Sequence, residues 1–279
     1  MNGFRVCFIL GLDHPCIIKI KEVIEDSRFV VFVLEYAKGG ELFDFVLQEY
    51  KSELPFNENL AKFQFYQLLS AMEYLHKKKI CHRDVKLENI LFATKGQTSL
   101  LKISDFGLSK ESSRNSRPRM NSLVGTKIYM APEVRLLAYG SNLQRLHYTE
   151  KADMWSLGCV LYSLLCGSNA FNDDDCTNFL NECFTEKHFE TNRWLLISES
   201  AKDLVRKLLK AKPEQRLSAS EALSHQWFSE DAGKIMNLAK HVMDGNRVSL
   251  EDLQQQRKRR SRLSQEIQET TSKMSRMMS

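Results

Sequence analysis

The spacing of apolar residues changes once along this chain, and the change separates a short β part from a long α part. Two apolar segments rich in β-branched residues, 17–24 and 29–34, flank the polar stretch Glu25-Asp26-Ser27-Arg28. A turn-forming stretch between two such segments predicts a hairpin. The glycines Gly39-Gly40 then interrupt the chain, and helical spacing follows them. This order predicts an α+β fold in which residues 35–40 connect the two parts.

Helical spacing is clearest after Asn57, which is a good N-cap residue. Further cap signals predict helices from Thr149 to Cys166, after Ser198, and at a capping box formed by Ser218 and Glu221. One apolar stripe repeats at three- and four-residue spacing along the first of these helices: Phe65, Leu68, Leu69, Met72 and Leu75. Most of the chain beyond residue 41 is therefore predicted to be helical, with this stripe in the core.

Charge and cysteine content exclude several classes of function. The formal net charge of +5 is small, and much of it lies in residues 257–262, so a nucleic-acid partner is not implied. The seven cysteines include no C-x-x-C pair, which argues against a zinc site and a disulfide framework and favours an intracellular location. No apolar stretch approaches the roughly 20 residues that cross a bilayer.

The composition becomes polar from about Ser229 onward. This part contains Gln254-Gln255-Gln256, the basic cluster Arg257 to Arg262 and a segment rich in Ser and Met. Such a composition buries too little apolar surface to fold alone, so residues 229–279 are predicted to be a basic tail that is partly helical or disordered. The basic cluster is typical of a nuclear-import signal, which favours the nucleus, with the cytoplasm as the alternative.

Three polar strings follow one another in loops next to the predicted short strands 90–92 and 100–103. They are His82-Arg83-Asp84-Val85-Lys86-Leu87-Glu88-Asn89, then Asp105-Phe106-Gly107, then Ala131-Pro132-Glu133. Each string alone is also typical of a hydrogen-bonded turn or helix cap. In this order they resemble the signature of eukaryotic protein kinases, and the resemblance extends over most of the chain.

The resemblance implies transfer of the γ-phosphate of ATP to a serine or threonine hydroxyl, with Mg²⁺ as cofactor. Asp84 would accept the proton of the acceptor hydroxyl, and Lys86 would offset charge on the phosphate. Asn89 and Asp105 would supply hard oxygen ligands for Mg²⁺. Thr126 would bridge Asp84 and Lys86, and the pairing of Lys86 with Thr126 resembles serine/threonine kinases.

The resemblance also assigns residues to the nucleotide. Leu34 would lie at the entrance of the adenine pocket, Glu35 and Ala37 would offer backbone hydrogen bonds, Leu91 would lie beneath the purine, and Glu41 would meet the ribose. Two further implied roles are structural: Asp153 would brace the catalytic loop, and Arg216 would pair with a buried Glu133.

Two glutamates are candidates for recognition of a protein substrate. Glu41 and Glu88 would form an acidic site for a basic side chain upstream of the phosphorylated residue, because carboxylates match an arginine fork. The alternative is that both are solvated charges at a helix start and in a loop. The expected partners are therefore protein substrates with basic residues before Ser or Thr, and an upstream kinase.

The amino-acid sequences of two segments narrow the resemblance to one group of protein kinases. Asp13-His14-Pro15-Cys16-Ile17-Ile18-Lys19-Ile20 and Gly39-Gly40-Glu41-Leu42-Phe43-Asp44 are similar to the calcium/calmodulin-dependent kinase group, and within it to checkpoint kinases that signal DNA damage. No G-x-G-x-x-G-x-V loop and no V-A-I-K-like lysine precede the connector. We therefore expect the N-terminal part of the kinase domain to be missing.

This expectation divides the chain into a truncated N-lobe remnant (1–36), a kinase C-lobe (37–228) and the tail (229–279). Two interpretations stay open. The chain is a shortened form of an active enzyme, or it is a pseudokinase or truncated isoform that acts by binding. Loss of the lysine and its glycine-rich loop would suppress turnover, since one preorganised electrostatic group typically contributes about 10²- to 10³-fold in rate.

One loop of the chain is predicted to be regulated by phosphorylation. Arg83 precedes Asp84, an arrangement that in this family leaves a cationic site for a phosphate on the loop between Asp105 and Glu133. Ser122 is the predicted acceptor, because arginines at positions 117 and 119 precede it. A phosphate there adds about −1.5 to −2 charges and would order the loop by pairing with Arg83. The alternative is a flexible loop that its basic residues keep solvated.

We expect Ser122 to become phosphorylated when a version of the protein with a complete N-lobe is incubated with ATP. Phosphopeptide mapping before and after incubation, compared with Ser122→Ala, is the measurement. An unmodified Ser122, with unchanged activity in the variant, would contradict the assignment and make Thr126 the next candidate.

Overall fold

The computed structural model describes residues 10–26, 29–51, 57–111, 127–139, 148–172, 184–230 and 233–249. Its strands in these ranges are β1 Ile20–Glu25, β2 Val30–Leu34, β3 Ile80–Cys81, β4 Ile90–Phe92, β5 Leu101–Ile103 and β6 Lys110–Glu111. Its α-helices in the same ranges are α1 Leu42–Lys51, α2 Glu58–Lys77, α3 Pro132–Tyr139, α4 Glu150–Cys166, α5 Glu199–Leu208, α6 Ala219–Leu223, α7 Gln226–Ser229 and α8 Lys234–Met243.

The β part is the predicted hairpin, in which β1 and β2 pair antiparallel. The hairpin begins at Ile20 and not at Ile17, because the preceding residues bond to a different strand. Ile103 donates its N–H to the Cys16 carbonyl at 2.8 Å, and Ile18 donates to the Ile103 carbonyl at 2.9 Å. The side chains of Val31 to Leu34 stay exposed, since β2 pairs only with β1 among the described strands.

Helices α2 and α4 form the centre of the α part. Nearly every residue of α4 is buried, as expected for a helix that is apolar all round. Helix α2 packs against α4, α6, α8 and β5, and its predicted apolar stripe is fully buried. Gly158 allows α5 to approach α4, because a Cβ there would lie 2.8 Å from Leu209 Cδ2. This segregation of hairpin and helices confirms the α+β prediction.

The predicted caps are present. Asn57 accepts hydrogen bonds from two backbone N–H groups at the start of α2, Thr149 accepts one from Lys151 in α4, and Ser198 accepts one from Ala201 in α5. Ser218 and Glu221 form the expected capping box. These bonds satisfy N–H groups that a helix start otherwise leaves unpaired, so the helix starts are set locally.

The helix α8 lies within the predicted tail, and it is packed. Ile235, Ala239 and Val242 are buried, and α8 contacts α2. Thr98 also donates to the Val248 carbonyl at 2.9 Å. The chain therefore stays on the α part up to about Val248, beyond the predicted start of the tail at Ser229, because α8 has an apolar face that packs against α2. The three-part division stays a prediction, and residues 250–279 lie outside the described residues.

The described part of the chain contains no helix with the length and apolar character needed to span a bilayer.

A buried ion pair joins α3 to the segment after α5. Arg216 donates to both carboxylate oxygens of Glu133, at 2.9 and 3.1 Å, and its guanidinium lies 5.1 Å from the centre of the Trp155 ring. Both side chains are buried. The pairing expected from the sequence is confirmed.

We expect Arg216→Met to lower the free energy of unfolding by about 3–5 kcal/mol, because Glu133 would keep a buried charge without its partner. The matched control is Arg206→Met, which breaks an exposed pair with Glu186 and should cost at most about 1 kcal/mol. Urea unfolding followed by circular dichroism measures both. Equal losses for the two variants would contradict the assignment of a buried structural pair.

Candidate active site

Two loops carry the polar strings, and strand pairing brings them together. The loop 82–89 connects β3 to β4, and the loop 104–109 connects β5 to β6. Because β4 pairs with β5 and β3 with β6, the two loops run side by side. Ser104 donates its N–H to the Asn89 carbonyl at 2.8 Å, and His82 Nε2 lies 3.0 Å from the Ser104 carbonyl. The predicted site residues of the first two strings therefore share one region.

Asp84 lies at the centre of this region. Its Oδ2 accepts hydrogen bonds from Lys86 Nζ at 2.8 Å and from Asn89 Nδ2 at 3.0 Å. Its Oδ1 is buried and has no hydrogen-bond partner among the described residues. One carboxylate oxygen is thus held by two neighbours, while the other is left as an acceptor for a group outside the described chain.

Asn89 and Asp105 present oxygens on the two adjacent loops. Asn89 uses its amide nitrogen twice, on the Asp84 carbonyl and on Asp84 Oδ2, so its own Oδ1 is directed away from both bonds. Asp105 is exposed and adopts a left-handed backbone with φ of 61°, and its carboxylate accepts from the Gly107 N–H at 3.1 Å. A left-handed aspartate is strained, and such strain clusters at functional sites.

The loop 82–89 is held in place by hydrogen bonds to Asp153 of α4, a fully buried residue. Asp153 accepts from the backbone N–H groups of His82 and Arg83, both at 2.9 Å, and from the Tyr148 hydroxyl at 2.9 Å. His76 Nε2 lies 3.0 Å from the same carboxylate. Burial alone would raise the pKa of Asp153, but the hydrogen bonds from His76 and the backbone outweigh it and lower the pKa. The residue therefore stays ionised and holds the loop.

His82 is a structural residue of the loop. Burial lowers its pKa, so the ring is neutral, and its Nδ1 accepts from the Asp84 N–H at 3.3 Å. Its ring lies edge-on to Phe106 at 4.8 Å between centroids. Arg83 has a left-handed backbone with φ of 74°, and its guanidinium lies 4.8 Å from the centre of the Tyr148 ring.

The predicted nucleotide residues lie around the connector. Leu34 is 43% exposed at the end of β2, and Glu35 and Ala37 are half-buried in the connector itself. Glu41 and Leu91 are neighbours across an antiparallel bridge. The connector lies against β4 through the Lys38 and Gly39 N–H groups, which donate to the carbonyls of residues 93 and 92.

The close approach of connector and β4 explains Gly39. A Cβ at this position would lie 2.3 Å from both Phe92 Cβ and the Thr94 carbonyl oxygen, so no other residue fits without moving the backbone. The connector is therefore fixed to the strand that carries Leu91.

Glu88 lies in the helical turn Leu87–Asn89, which contacts α1, and Glu41 directly precedes α1. Glu88 Oε2 is buried without a hydrogen-bond partner among the described residues. Tyr129, which lies near the end of the predicted regulatory loop, is buried, and its carbonyl accepts from Ser156 at 2.8 Å. Ser122 and Thr126 lie outside the described residues.

Sequence reasoning missed the partners of two predicted residues. His76 and Tyr148 join Asp153 from other elements, and Lys102 donates to the Glu35 carboxylate at 2.6 Å. The contacts of His76 with Asp153 and of Lys102 with Glu35 link residues that are 77 and 67 positions apart. No local pattern marks such pairs, because only the packing of the elements brings them together.

This chain belongs to the protein kinase family: the family model "Protein kinase domain" matches residues 6–228. The kinase-like fold predicted from the sequence is therefore confirmed. The chain is 39% identical over 227 residues, 79% of its length, to the probable serine/threonine-protein kinase fhkD of Dictyostelium discoideum. It is 35% identical over 255 residues, 90% of its length, to the ovarian-specific serine/threonine-protein kinase Lok of Drosophila melanogaster.

A third relative is the human calcium/calmodulin-dependent protein kinase type IV, 38% identical over 232 residues and 82% of this chain. The aligned parts are 30%, 51% and 46% of the three relatives, so the chain spans about a third to a half of their length. These similarities place the chain among serine/threonine kinases, a family that generally uses ATP and Mg²⁺.

We expect Asp153→Asn to lower the free energy of unfolding by about 2–4 kcal/mol, because an amide cannot accept from all the groups that the carboxylate binds. The amide protons of His82 and Arg83 should exchange faster by NMR. Asp203→Asn is the control, since Asp203 is a partly exposed carboxylate that pairs with Lys207. Unchanged exchange at His82 and Arg83 would contradict the anchoring role.

Proposed function

We propose that this chain forms the catalytic part of a serine/threonine protein kinase that transfers the γ-phosphate of ATP to a protein hydroxyl. The observation that carries the proposal is the arrangement around Asp84. One of its carboxylate oxygens is held by Lys86 and Asn89, and the other is buried without a described partner. A carboxylate oriented in this way suits the acceptance of a hydrogen bond from an incoming hydroxyl.

In the proposed reaction, Asp84 orients the acceptor hydroxyl and takes its proton as the new P–O bond forms and the bond to the leaving diphosphate breaks. Lys86 already lies 2.8 Å from Asp84, so its ammonium is positioned to offset charge on the phosphoryl group. Thr126 would complete this group of residues. Phosphoryl transfer needs mainly position and charge, which these residues supply.

The metal ligands proposed are Asn89 and Asp105. The donor set fits Mg²⁺, because the free Asn89 amide oxygen and the exposed Asp105 carboxylate are hard oxygens on adjacent loops. The described residues contain no group of three or more His, Cys, Asp and Glu side chains that would form a complete metal cage. Mg²⁺ is commonly held by one or two protein ligands together with substrate phosphates, and when bound it would neutralise phosphate charge.

The adenine is proposed to lie between the connector and Leu91. The Glu35 N–H already donates to the Lys19 carbonyl at 2.9 Å, so the Glu35 group left for the purine is its carbonyl. Ala37 would add its N–H, Leu34 and Leu91 would supply apolar contacts, and Glu41 beside Leu91 would reach the ribose.

For the protein substrate we propose basic residues upstream of the phosphorylated Ser or Thr. The unpartnered oxygen of Glu88 supports this, since a buried carboxylate oxygen gains from an arginine donor. Within the family we propose the calcium/calmodulin-dependent group, most similar to checkpoint kinase 2, with a role in DNA-damage signalling and a nuclear location. Support comes from the two group-like segments around Pro15 and Glu41 and from the basic cluster 257–262.

We expect Asp84→Asn, made in a version that also carries a glycine-rich loop and an ATP-binding lysine, to lower turnover of an arginine-containing serine peptide by about 10²- to 10⁴-fold, because the proton acceptor is lost. Affinity for a non-hydrolysable ATP analogue should stay within about twofold, since Asp84 faces the acceptor hydroxyl. Asp244→Asn, at an exposed position after α8, is the control. Substantial turnover by the Asp84→Asn protein would contradict the proposed role of Asp84 as the proton acceptor.

The alternative is a protein that binds nucleotide without catalysis, and it can be tested on the 279-residue chain as it stands. Titration with the ATP analogue, with and without Mg²⁺, should show weak binding that depends on the metal. Binding without turnover in the version that also carries the glycine-rich loop and the lysine would favour a pseudokinase. Tight binding independent of Mg²⁺ would contradict the roles of Asn89 and Asp105.

A further inference from the structure

The Glu35 carboxylate joins three segments of the chain at one point. Its Oε1 accepts from Lys102 Nζ at 2.6 Å and from the Lys19 backbone N–H at 2.8 Å. The Glu35 N–H in turn donates to the Lys19 carbonyl at 2.9 Å. Lys19 directly precedes β1 and Glu35 directly follows β2, so this carboxylate closes the base of the hairpin and ties it to β5, which carries Lys102.

Few other polar contacts in the described residues hold the hairpin base to the α part. Ile103 bonds to Cys16 and to Ile18 through the backbone, and the connector bonds to β4 through Lys38 and Gly39. The Glu35–Lys102 ion pair lies between these two sets of bonds. It is therefore placed where the hairpin and connector meet the strand that leads to Asp105.

The pair is partly removed from solvent. The Lys102 side chain is 12% exposed and that of Glu35 is 27% exposed. The neighbouring pair of Lys19 and Asp13 spans 3.9 Å, with side chains 67% and 91% exposed. A short, shielded ion pair fixes geometry more strongly than an exposed one, which solvent and salt weaken.

The register of the β4–β5 ladder places the ion pair next to residues of the proposed nucleotide site. Lys102 is paired with Leu91, the residue proposed to lie beneath the purine, and Asp105 follows Lys102 by three positions. Glu35 begins the connector that would bind the adenine edge. The ion pair thus bridges the connector and the strand that leads to the proposed metal ligand.

We propose that the Glu35–Lys102 ion pair is a positioning element, which fixes the spacing between the connector and Asp105 so that one nucleotide meets both. The proposal rests on the proposed function. It predicts that the pair matters most for a ligand that spans both regions. A ligand that touches only the connector, such as adenosine, depends on it less.

We expect Glu35→Gln and Lys102→Met in the full chain each to weaken binding of a Mg²⁺-loaded ATP analogue by about three- to tenfold, because preorganisation is lost. Adenosine affinity should change by about twofold at most, since adenosine does not reach Asp105. The double variant should bind about as weakly as either single variant, which is the sign of direct coupling. Lys102→Arg, which keeps the charge, should restore most of the affinity.

The matched control is Lys19→Met, because Lys19 contributes only its backbone N–H to the Glu35 carboxylate. It should leave both affinities unchanged. Thermal unfolding of each variant shows whether the protein is folded, and Glu35→Gln serves as the second variant if Lys102→Met unfolds. Equal losses for adenosine and the Mg²⁺-loaded analogue would indicate general destabilisation and would overturn the positioning role.

A measurement without ligand separates this proposal from the proposed function. Amide exchange of Lys38 and Gly39 should accelerate in Lys102→Met and stay unchanged in Lys19→Met, because the connector loses its link to β5. If the parent chain binds neither ligand, the nucleotide site is wrong, while faster exchange would still support the link. Unchanged exchange in Lys102→Met would overturn the proposal whatever the nucleotide result.

Discussion

The buried carboxylate of Asp153 is the contact on which the candidate site depends most. It brings together the end of α2, the loop 82–89 and the segment before α4, through His76, the backbone of His82 and Arg83, and Tyr148. Burial raises the pKa of Tyr148, so the phenol stays protonated and donates to the carboxylate. A carboxylate removed from water persists as a charge only with such donors around it. The loop is therefore fixed by electrostatics inside the α part, while Asp84 at its tip is left available.

The two parts of the chain differ in how they are held. The α part has a continuous core that includes the three fully buried tryptophans Trp155, Trp194 and Trp227. At its base the buried Glu58 accepts from the Ser198 hydroxyl at 2.6 Å and from Trp227 Nε1 at 2.9 Å, which ties the start of α2 to α5 and α7. The hairpin has apolar side chains exposed on both strands, and a two-stranded sheet is marginal by itself. Its placement therefore depends on the few contacts at its base.

Much of this architecture was predictable because its signals are local. Cap residues such as Asn57 and Ser218 set helix starts through bonds within a few positions, and the apolar stripe of α2 follows from the helical period. The packing of α8 was not predicted, since its apolar face is short and lies in a polar segment. The start of β1 was placed too early, because Ile17 and Ile18 are as apolar as strand residues but bond to Ile103.

The class of protein, the order of the three polar strings and the types of side chain available at the site all follow from the order of the amino acids. The roles of Asp84, Lys86 and Asn89 could be predicted together because all three lie on one loop within six residues. The long-range partners that hold those residues in place become visible only in the packed fold. The contacts of His76 with Asp153 and of Lys102 with Glu35 join residues 77 and 67 positions apart, and burial makes each depend on donors that the local sequence does not specify. The physical reason is that chain neighbours set conformation and chemical type, whereas desolvation and exact distance arise only when separate elements pack together.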